Sequence, residues 1–236
     1  MKELLGKEIL AIIPARGGSK SIKRKNIKPI LGKPMVCYSI EACQKSKYIT
    51  RFVVSTEDAE IKEICESFGA EVIDRPIELA QDETKTSPVM LHAAEALEKQ
   101  GYKPDYVVLV QPTSPFRDAE FIDNAFDYMF SKKDCDSCFS GFLFCITHGK
   151  WREFHDGSLE ALYDYRNRPR RQDVECHYNS YCENGAFYAV EYDVFKKVED
   201  FIGEKPCIYL TDVTFDVDEP SDFEKAEQIL KEQLDG

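Results

Sequence analysis

The chain has 236 residues, of which 43% are hydrophobic and 31% charged, as is typical of a folded domain rather than of a disordered polypeptide. Lys and Arg together number 31 and Asp and Glu 43, so the formal net charge of −12 argues against general binding of nucleic acids or anionic membranes. No apolar run approaches the roughly 18–20 residues of a membrane span, and acidic residues interrupt the N-terminal segment where a signal peptide would be apolar. We therefore expect a soluble, cytoplasmic protein with no nucleic-acid partner and no membrane partner.

The nine cysteines are odd in number and lie mostly in apolar segments. This distribution predicts reduced core thiols rather than a disulfide framework. Cys135 and Cys138 form one C-x-x-C pair, but no second pair with the spacing of zinc ligands accompanies it. Buried structural cysteines are the simpler interpretation.

The first two-thirds of the chain alternates strand and helix patterns. Three apolar runs have the character of strands that are buried on both faces of a sheet, namely Ile9–Pro14, Arg51–Thr56 and residues 105–110. Three intervening segments repeat apolar residues at helical spacing, led by Ile61, Val89 and Phe121. This alternation predicts an α/β protein with a mostly parallel sheet, whose ligands bind at the carboxyl ends of the strands.

Residues 146–183 interrupt the alternation with a polar, aromatic and arginine-rich stretch that is too long for an ordinary connection. It is interpreted as a functional loop, an arm or a small subdomain. The remaining segments predict a strand at 185–190, a helix at Tyr192–Val198 and a strand at 213–217. A last helix is expected to start near Pro220 and to bury Phe223, Ala226 and Leu230.

The first strand leads into the basic, glycine-containing segment PARGGSKSIKRKN at residues 14–26. Glycine lets backbone N–H groups approach phosphate oxygens, and Arg16, Lys20 and Lys25 add positive charge. The segment matches neither a P-loop nor G-x-G-x-x-G. It favours phosphate binding, with a solvated basic turn as the alternative.

Asp216 and Asp218 lie two residues apart in FDVDEPSDF. On the predicted strand both carboxylates would point to one face, where their mutual repulsion favours a hard cation such as Mg²⁺. In the alternative interpretation, Asp218 and Glu219 only stabilise the start of the following helix.

Two further groups of residues have the chemistry of an acid-binding site. The arginines of RPRRQD (residues 168–173) suit bidentate binding of a carboxylate or phosphate, although exposed arginines are often only solvated. Gln111 opens QPTSPFR at the end of a buried strand, where an α/β sheet presents ligand contacts. A turn that caps the next helix would explain that segment equally well.

In series, these segments resemble the CMP-N-acylneuraminate synthetases, the acylneuraminate cytidylyltransferase family. The resemblance extends over nearly the whole chain and rests on six segments, IIPARGGSKSIKRKNI, RPIELAQDETKT, LVQPTSPFR, RRQD, ENGAFY and FDVDEPSDF. It implies a nucleotide-diphospho-sugar transferase fold, with a mostly parallel sheet flanked by helices. Residues 1–236 would form one domain with a small dimerisation arm at 146–183, in a Mg²⁺-dependent homodimer.

The resemblance also implies roles for particular residues. The residues expected to bind CTP are Ala15, Arg16, Gly17, Ser19, Lys25, Asn26, Arg75 and Thr86. Those expected to contact a sugar acid are Gln111, Lys150, Arg171, Asn184 and Tyr188. Asp216 and Asp218 would hold Mg²⁺, and together with Arg16 and Lys25 they would form the catalytic group.

The expected reaction is attack of the anomeric hydroxyl of a nine-carbon 2-keto-3-deoxy sugar acid on the α-phosphate of CTP, with release of pyrophosphate. Activation of legionaminate, pseudaminate or an octulosonate is the alternative within the same class. A catalytically silent nucleotide-binding module is an alternative of another class. The presence of Arg16, Lys25, Asp216 and Asp218 together argues against a silent module.

Overall fold

A seven-stranded sheet organises the chain in this computed structural model, which describes residues 6–143, 151–161, 166–167, 181–212 and 216–235. The described strands are β1 (Ile9–Pro14), β2 (Pro29–Ile30), β3 (Lys33–Pro34), β4 (Arg51–Thr56), β5 (Glu71–Asp74), β6 (Tyr106–Leu109), β7 (Ser137–Leu143), β8 (Trp151–Glu153), β9 (Leu159–Ala161), β10 (Tyr181–Glu191) and β11 (Pro206–Leu210). The described helices are α1 (Met35–Lys45), α2 (Ala59–Ser67), α3 (Thr86–Glu98), α4 (Ala119–Ser131), α5 (Tyr192–Val198) and α6 (Pro220–Asp235), with 3-10 helices at Lys25–Ile27 and Ile77–Ala80.

The strand order in the large sheet is β11-β7-β10-β6-β1-β4-β5. β1 pairs in parallel with β4 and β6, β4 with β5, and β7 with β11, whereas β10 runs antiparallel to β6 and β7. The predicted α/β class and mostly parallel sheet are therefore confirmed. Parallel pairing places the carboxyl ends of β1, β4, β5 and β6 at one edge, where the candidate site lies.

β1 explains why helices cover both faces of this sheet. Its alternate side chains enter two hydrophobic clusters, because successive residues of a strand point to opposite faces. Ile9, Ala11 and Ile13 pack with α1, α2 and α4, whereas Leu10 and Ile12 pack with α3 and α5. All five side chains are buried, which accounts for the uninterrupted apolar run in the sequence.

The predicted central strands and helices are confirmed, with small changes in their bounds. Helices α2 and α4 begin at the N-caps Asp58 and Asp118, whose carboxylates accept backbone N–H groups of the first turn. Gly69 follows α2 with φ 79°, a left-handed backbone conformation that favours glycine after a helix.

The chain between α5 and α6 differs from expectation. The edge strand β11 (Pro206–Leu210) was not predicted, because its apolar run, CIYL at residues 207–210, is too short to identify a strand by itself and its side chains are at most partly buried. Of the strand predicted at 213–217, residues 213–215 lie outside the described residues, and Asp216 and Val217 have irregular backbone. The strand prediction is therefore wrong for these last two residues.

The expectation that the cysteines are all reduced is wrong for one pair. Cys135 and Cys207 form a disulfide across 72 positions of sequence, with their Cα atoms 6.0 Å apart. The pair forms because β11 lies beside β7, with Cys207 in register with Cys138. Within the described residues, five other cysteines are free thiols, Cys37, Cys43, Cys65, Cys138 and Cys182.

The described part of the 146–183 segment includes an exposed hairpin. Strands β8 and β9 pair antiparallel with Trp151 opposite Ala161. The bounds of the arm, and its assignment to one domain of residues 1–236, stay predictions. Within the described parts of the chain, no helix is both long and apolar enough to cross a membrane.

A third hydrophobic cluster joins the last helix to the segment after β1. As predicted, Phe223, Ala226 and Leu230 are buried on the inner face of α6. They pack with Ile22 and Met35 and with other residues of the two segments. This contact brings the chain around Asp218 to the basic loop.

We expect Phe126→Ala to lower the free energy of unfolding by about 3–5 kcal/mol, because it removes a fully buried ring and leaves a cavity. Phe126 packs edge-on against Phe187 and stacks with Phe130. Denaturant unfolding would measure the loss. The control is Ile77→Ala, at a side chain that is 61% exposed, which should change stability by no more than about 0.5 kcal/mol. Similar stability of the two variants would contradict this description of the core.

Candidate active site

A cavity of about 390 Å³ opens at the carboxyl ends of β1 and β6. It lies where parallel sheets commonly bind ligands. Seven of the residues expected to bind nucleotide or sugar line it, Arg16, Ser19, Lys25, Asn26, Arg75, Thr86 and Gln111. The fold therefore gathers segments that are far apart in the sequence into one concave site.

The loop after β1 is held in shape by its own polar contacts. Asn26 is buried, and its Nδ2 donates to the carbonyl of Arg16 at 2.9 Å. The N–H of Gly17 donates to Glu57 Oε1 at 2.7 Å. A Cβ at Gly17 would overlap the side chain of Asp58, so glycine is required by this close approach. Ala15, buried before the loop, donates its N–H to the carbonyl of Ser55.

A second anchor joins this loop to α2. Arg24 has a left-handed backbone conformation, with φ 59°, immediately before the 3-10 helix Lys25–Ile27. Its guanidinium forms ion pairs with Asp58 and Glu60. Asp58 also caps α2 through the N–H groups of Glu60 and Ile61, both at 3.0 Å. One carboxylate therefore fixes both the helix start and the basic loop.

Arg75 lies in the cavity wall although it is almost fully buried. Its Nε donates to Ser55 Oγ at 3.1 Å and one terminal nitrogen to the Ser55 carbonyl at 2.5 Å. Burial lowers the pKa of Arg75 to about 10, and the nearby carboxylate of Glu57 opposes that shift. The side chain therefore still carries its positive charge at neutral pH.

The other cations of the cavity are paired with carboxylates. Arg16 and Lys20 each contact Asp82, through different carboxylate oxygens and at 2.8 Å. Lys25 contacts Asp218 at 2.9 Å. Asp82 had no role in the sequence predictions, although it lies within RPIELAQDETKT, because nothing local to it indicates the partners to which the fold brings it.

Among the described residues, neither Asp216 nor Asp218 lines the cavity, and the two do not lie on a strand. Val217 between them is fully buried, and its N–H donates to the carbonyl of Thr113 at 2.8 Å. Asp216 accepts a hydrogen bond from Ser114 Oγ at 2.5 Å. Burial raises the pKa of Asp216, the Ser114 hydrogen bond opposes that shift, and the negative charge of Asp218 adds to it.

Gly185 gives Asp216 its space. It has φ 75°, and a Cβ there would lie 2.5 Å from Asp216 Oδ2. Within the described ranges, no group of three or more His, Cys, Asp or Glu side chains could hold a metal ion. Any cation here would therefore rely on the two carboxylates and on oxygens supplied by a ligand or water.

The start of α6 does not depend on the side chain of Asp218. Asp222 Oδ2 accepts the backbone N–H groups of Asp218 at 3.1 Å and Glu219 at 2.8 Å. Asp218 instead points its carboxylate to Lys25. The helix-start interpretation of Asp218 therefore loses its main support.

Only one of the expected sugar contacts lines the cavity among the described residues. Gln111 does so, and its Nε2 donates to the carbonyl of Gly185 at 3.3 Å. Asn184 is buried and bonded to Ser140 Oγ and Thr211 Oγ1. The buried Tyr188 donates its hydroxyl hydrogen to Glu183. Lys150 and Arg171 lie outside the described residues, and the sugar-binding roles stay predictions.

Sequence reasoning missed one buried residue that shapes this end of the sheet. Arg117 is 2% exposed and donates to the carbonyls of Gln111 and Ala186, at 3.2 and 3.0 Å. It also donates to Ser39 Oγ at 2.7 Å. These bonds join the end of β6 to β10 and α1. The sequence shows the arginine in QPTSPFR, but no local pattern predicts that this side chain is buried.

Comparisons with known proteins agree with this geometry. A family model described as "Cytidylyltransferase" matches residues 10–235. An N-acylneuraminate cytidylyltransferase of Escherichia coli is 31% identical over 230 residues, which cover 93% of this chain and 51% of that protein. A pseudaminic acid cytidylyltransferase of Campylobacter jejuni is 34% identical over 188 residues, with 76% of each chain covered.

A solved structure supports the fold independently. It is described as a CMP:2-keto-3-deoxy-manno-octonic acid synthetase complexed with CTP, and it aligns with a TM-score of 0.69 at 17% identity over 96% of this chain and 100% of that chain. The chain belongs to the cytidylyltransferase family, as its resemblance to acylneuraminate cytidylyltransferases indicates. It spans about half the length of the N-acylneuraminate relatives, 51% in the bacterial case.

We expect Asp58→Asn to destabilise the protein by about 1 kcal/mol at pH 7, because asparagine keeps the helix cap but loses the ion pair with Arg24. The hydrogen bond from Arg24 holds the pKa of Asp58 below its ordinary value. Its contribution is therefore complete above the unfolded pKa of about 3.9 and disappears as the pH falls through the folded pKa.

Denaturant unfolding between pH 7 and pH 2 would test this dependence. The gap between wild type and Asp58→Asn should close at the acid end. Glu60→Gln is the matched control, because it removes the more exposed partner of the same arginine and should have the smaller effect. A gap that stays constant with pH would contradict the assignment.

Proposed function

We propose that this protein transfers CMP from CTP to a nine-carbon 2-keto-3-deoxy sugar acid of the N-acylneuraminate type and releases pyrophosphate. The observation that carries the proposal is the cavity at the strand ends, which is lined by Arg16, Lys20 and Lys25, with Asp218 just beyond the lining at 2.9 Å from Lys25. Cations beside a pair of carboxylates suit a nucleoside triphosphate that is bound together with a divalent ion. The family and the relatives described above support the same reaction class.

In this proposal the loop after β1 holds the triphosphate. Arg16 and Lys25 form ion pairs with the phosphates. Ala15, Gly17 and Ser19 belong to the same loop and lie close to the phosphates. Asn26, Arg75 and Thr86 form the cytosine side of the cavity. Support for this division comes from the buried positions of Asn26 and Arg75, because a base needs fixed donors in a space from which water is excluded.

Asp216 and Asp218 fit a magnesium ion by their chemistry. They provide hard oxygen donors, and the repulsion between them contributes to the raised pKa of Asp216, so a cation that these residues held would relieve this repulsion. When bound there, Mg²⁺ would neutralise phosphate charge. Lys25 would pass from Asp218 to a phosphate oxygen as the nucleotide enters.

The remaining steps concern the sugar acid. Its anomeric hydroxyl attacks the α-phosphate, and the bond to the leaving pyrophosphate breaks. Such a transfer depends on positioning and on charge stabilisation, for which Arg16 and Lys25 are the catalytic cations in this proposal. Gln111 is proposed to orient the sugar, with Asn184 and Tyr188 behind it and Lys150 and Arg171 added from the 146–183 arm.

The relatives also support a second candidate substrate of the same class. The 34% identity to a pseudaminic acid cytidylyltransferase over 76% of both chains favours pseudaminate as the alternative sugar acid. Legionaminate and an octulosonate are further alternatives. A catalytically silent nucleotide-binding module is less favoured, because the four proposed catalytic residues are all present in the chain.

A homodimer is part of the proposal. Leu143 and Tyr181 lie opposite each other on β7 and β10 and are 62% and 41% exposed, and Leu210 of β11 is 49% exposed. The hairpin of the arm adds exposed apolar side chains at Trp151 and Leu159. Apolar side chains of this kind suit burial against a second copy. We also propose a cytoplasmic location, where CTP is available.

We expect pyrophosphate release with CTP to exceed release with UTP or ATP by at least about tenfold, because one cavity shape and donor set suits one base. The assay combines each nucleotide with a panel of N-acylneuraminate, pseudaminate, legionaminate and octulosonate. The preferred acid identifies the substrate. Equal turnover of all three nucleotides would contradict a cytidine site, and release with no member of the panel would favour the silent module.

We expect Asp218→Asn to fold normally but to lose at least about a hundredfold in turnover and to need more Mg²⁺, because one anionic ligand is gone. Thermal melting and a Mg²⁺ titration of pyrophosphate release measure the two effects. Asp212→Asn, at an exposed carboxylate of the same connection, is the control and should keep the wild-type optimum. A fully active Asp218→Asn enzyme with an unchanged Mg²⁺ optimum would overturn the metal assignment.

A further inference from the structure

We propose that the carboxylate of Asp82 competes with the phosphates of the nucleotide for Arg16 and Lys20. This autoinhibitory contact pairs with the two cations before the nucleotide binds, and it forms again when pyrophosphate leaves. The inference rests on the proposed function, since it takes the loop after β1 to be the phosphate site. It adds a regulatory carboxylate to that site, at a position with no part in the reaction as described above.

Asp82 bridges two cations of the basic loop, and this pair of contacts, from Asp82 to Arg16 and to Lys20, is called the clamp below. Asp82 Oδ1 accepts from Arg16 at 2.8 Å, and Asp82 Oδ2 lies 2.8 Å from the ammonium of Lys20. One carboxylate therefore uses both oxygens on two cations that lie four residues apart in the basic loop. The carboxylate is 42% exposed, so solvent and ligands can reach it.

The clamp joins two walls of the cavity. Residues 16–20 belong to the loop after β1, whereas Asp82 follows the 3-10 helix Ile77–Ala80. Leu79, Gln81, Asp82 and Thr84 all line the same cavity. Gln81 Nε2 donates to the carbonyl of Ile77 at 2.6 Å, so the segment has local structure that presents Asp82 inward. The clamp thus spans the space that a phosphate chain would enter.

The contact of Asp82 with Arg16 and Lys20 can be displaced by a ligand that carries more negative charge. A phosphate group offers the same kind of acceptor oxygens as Asp82, but with more negative charge and more oxygens. Arg16 and Lys20 therefore favour an incoming polyphosphate over one carboxylate. Each exposed ion pair that breaks reduces the apparent affinity, because ligand binding must displace the competing state.

The same competition assists product release. Pyrophosphate left on Arg16 and Lys20 would dissociate slowly from an open cationic loop. A carboxylate fixed beside these cations lowers the cost of their separation from the product, because it replaces the departing charge. Asp82 thus weakens the binding of substrate and product phosphates alike, and a ligand without phosphate is unaffected.

The test measures binding by calorimetry, without sugar acid and therefore without turnover, for wild type and Asp82→Asn. The probes are CTP, pyrophosphate and cytidine. Asparagine keeps the size of the side chain but removes its charge. We expect Asp82→Asn to bind CTP and pyrophosphate roughly three- to tenfold more tightly, as the loss of two exposed ion pairs implies, and to bind cytidine as wild type does.

Two variants make the test specific for this charge. Asp82→Glu keeps the carboxylate and should restore nearly wild-type affinity. Glu83→Gln removes an exposed negative charge from the next residue and should leave all three affinities unchanged. In turnover assays, the Michaelis constant for CTP and the inhibition constant of pyrophosphate should both fall roughly three- to tenfold in Asp82→Asn. Thermal melting checks that each variant is folded.

The outcomes separate this proposal from the function on which it rests. Unchanged or weaker binding of CTP and pyrophosphate by folded Asp82→Asn overturns the competitor role while leaving the nucleotide site intact. Equal tightening by Glu83→Gln also overturns it, because a general loss of negative charge would then be the cause. Failure of the wild-type protein to bind either CTP or pyrophosphate overturns the proposed function and this inference together.

Discussion

The candidate site depends on a hydrophobic contact that has no part in the chemistry itself. Val217 and Phe223, at the start of the C-terminal segment, pack with Ile22 and neighbouring residues in the third hydrophobic cluster. This burial brings Lys25 within 2.9 Å of Asp218, across 193 positions of sequence. An exposed ion pair is too weak to hold two such distant segments together, whereas burial of several apolar side chains is sufficient. Hydrophobic packing therefore brings Lys25 and Asp218 together, and their ion pair forms as a consequence.

Electrostatic balance is the second property of the site. In an acidic chain, the cations of the cavity are held near carboxylates, with Asp82 beside Arg16 and Lys20 and with Asp218 beside Lys25. Such pairing keeps concentrated positive charge stable before a ligand arrives. An anionic ligand then replaces the carboxylates as the partner of these cations. Its affinity therefore depends on the difference between the ion pairs that it forms and the ion pairs that it breaks.

Local patterns predicted those parts of the fold that local physics determines. β1 is buried on both faces and therefore has a continuous apolar run, and α4 has its apolar residues at helical spacing. β11 was not predicted because its apolar run is only four residues long, and its side chains are at most partly buried at the sheet edge. The same-face argument for Asp216 and Asp218 assumed a strand, whereas the backbone at Asp216 and Val217 is irregular, although the charge of Asp218 still raises the pKa of Asp216.

The fold class, the order of the motifs and the basic loop after β1 follow from the amino-acid pattern alone, because each depends on residues that are close along the chain. Which partner each polar side chain has depends instead on how remote segments pack in the folded protein. This packing turned Asn184 toward Ser140, buried Arg117 against the carbonyls of Gln111 and Ala186, and placed Asp82 on Arg16 across 66 positions. A hydrogen bond or ion pair depends on distance in space, and distances between remote segments are set by how helices and strands pack, which no local pattern encodes.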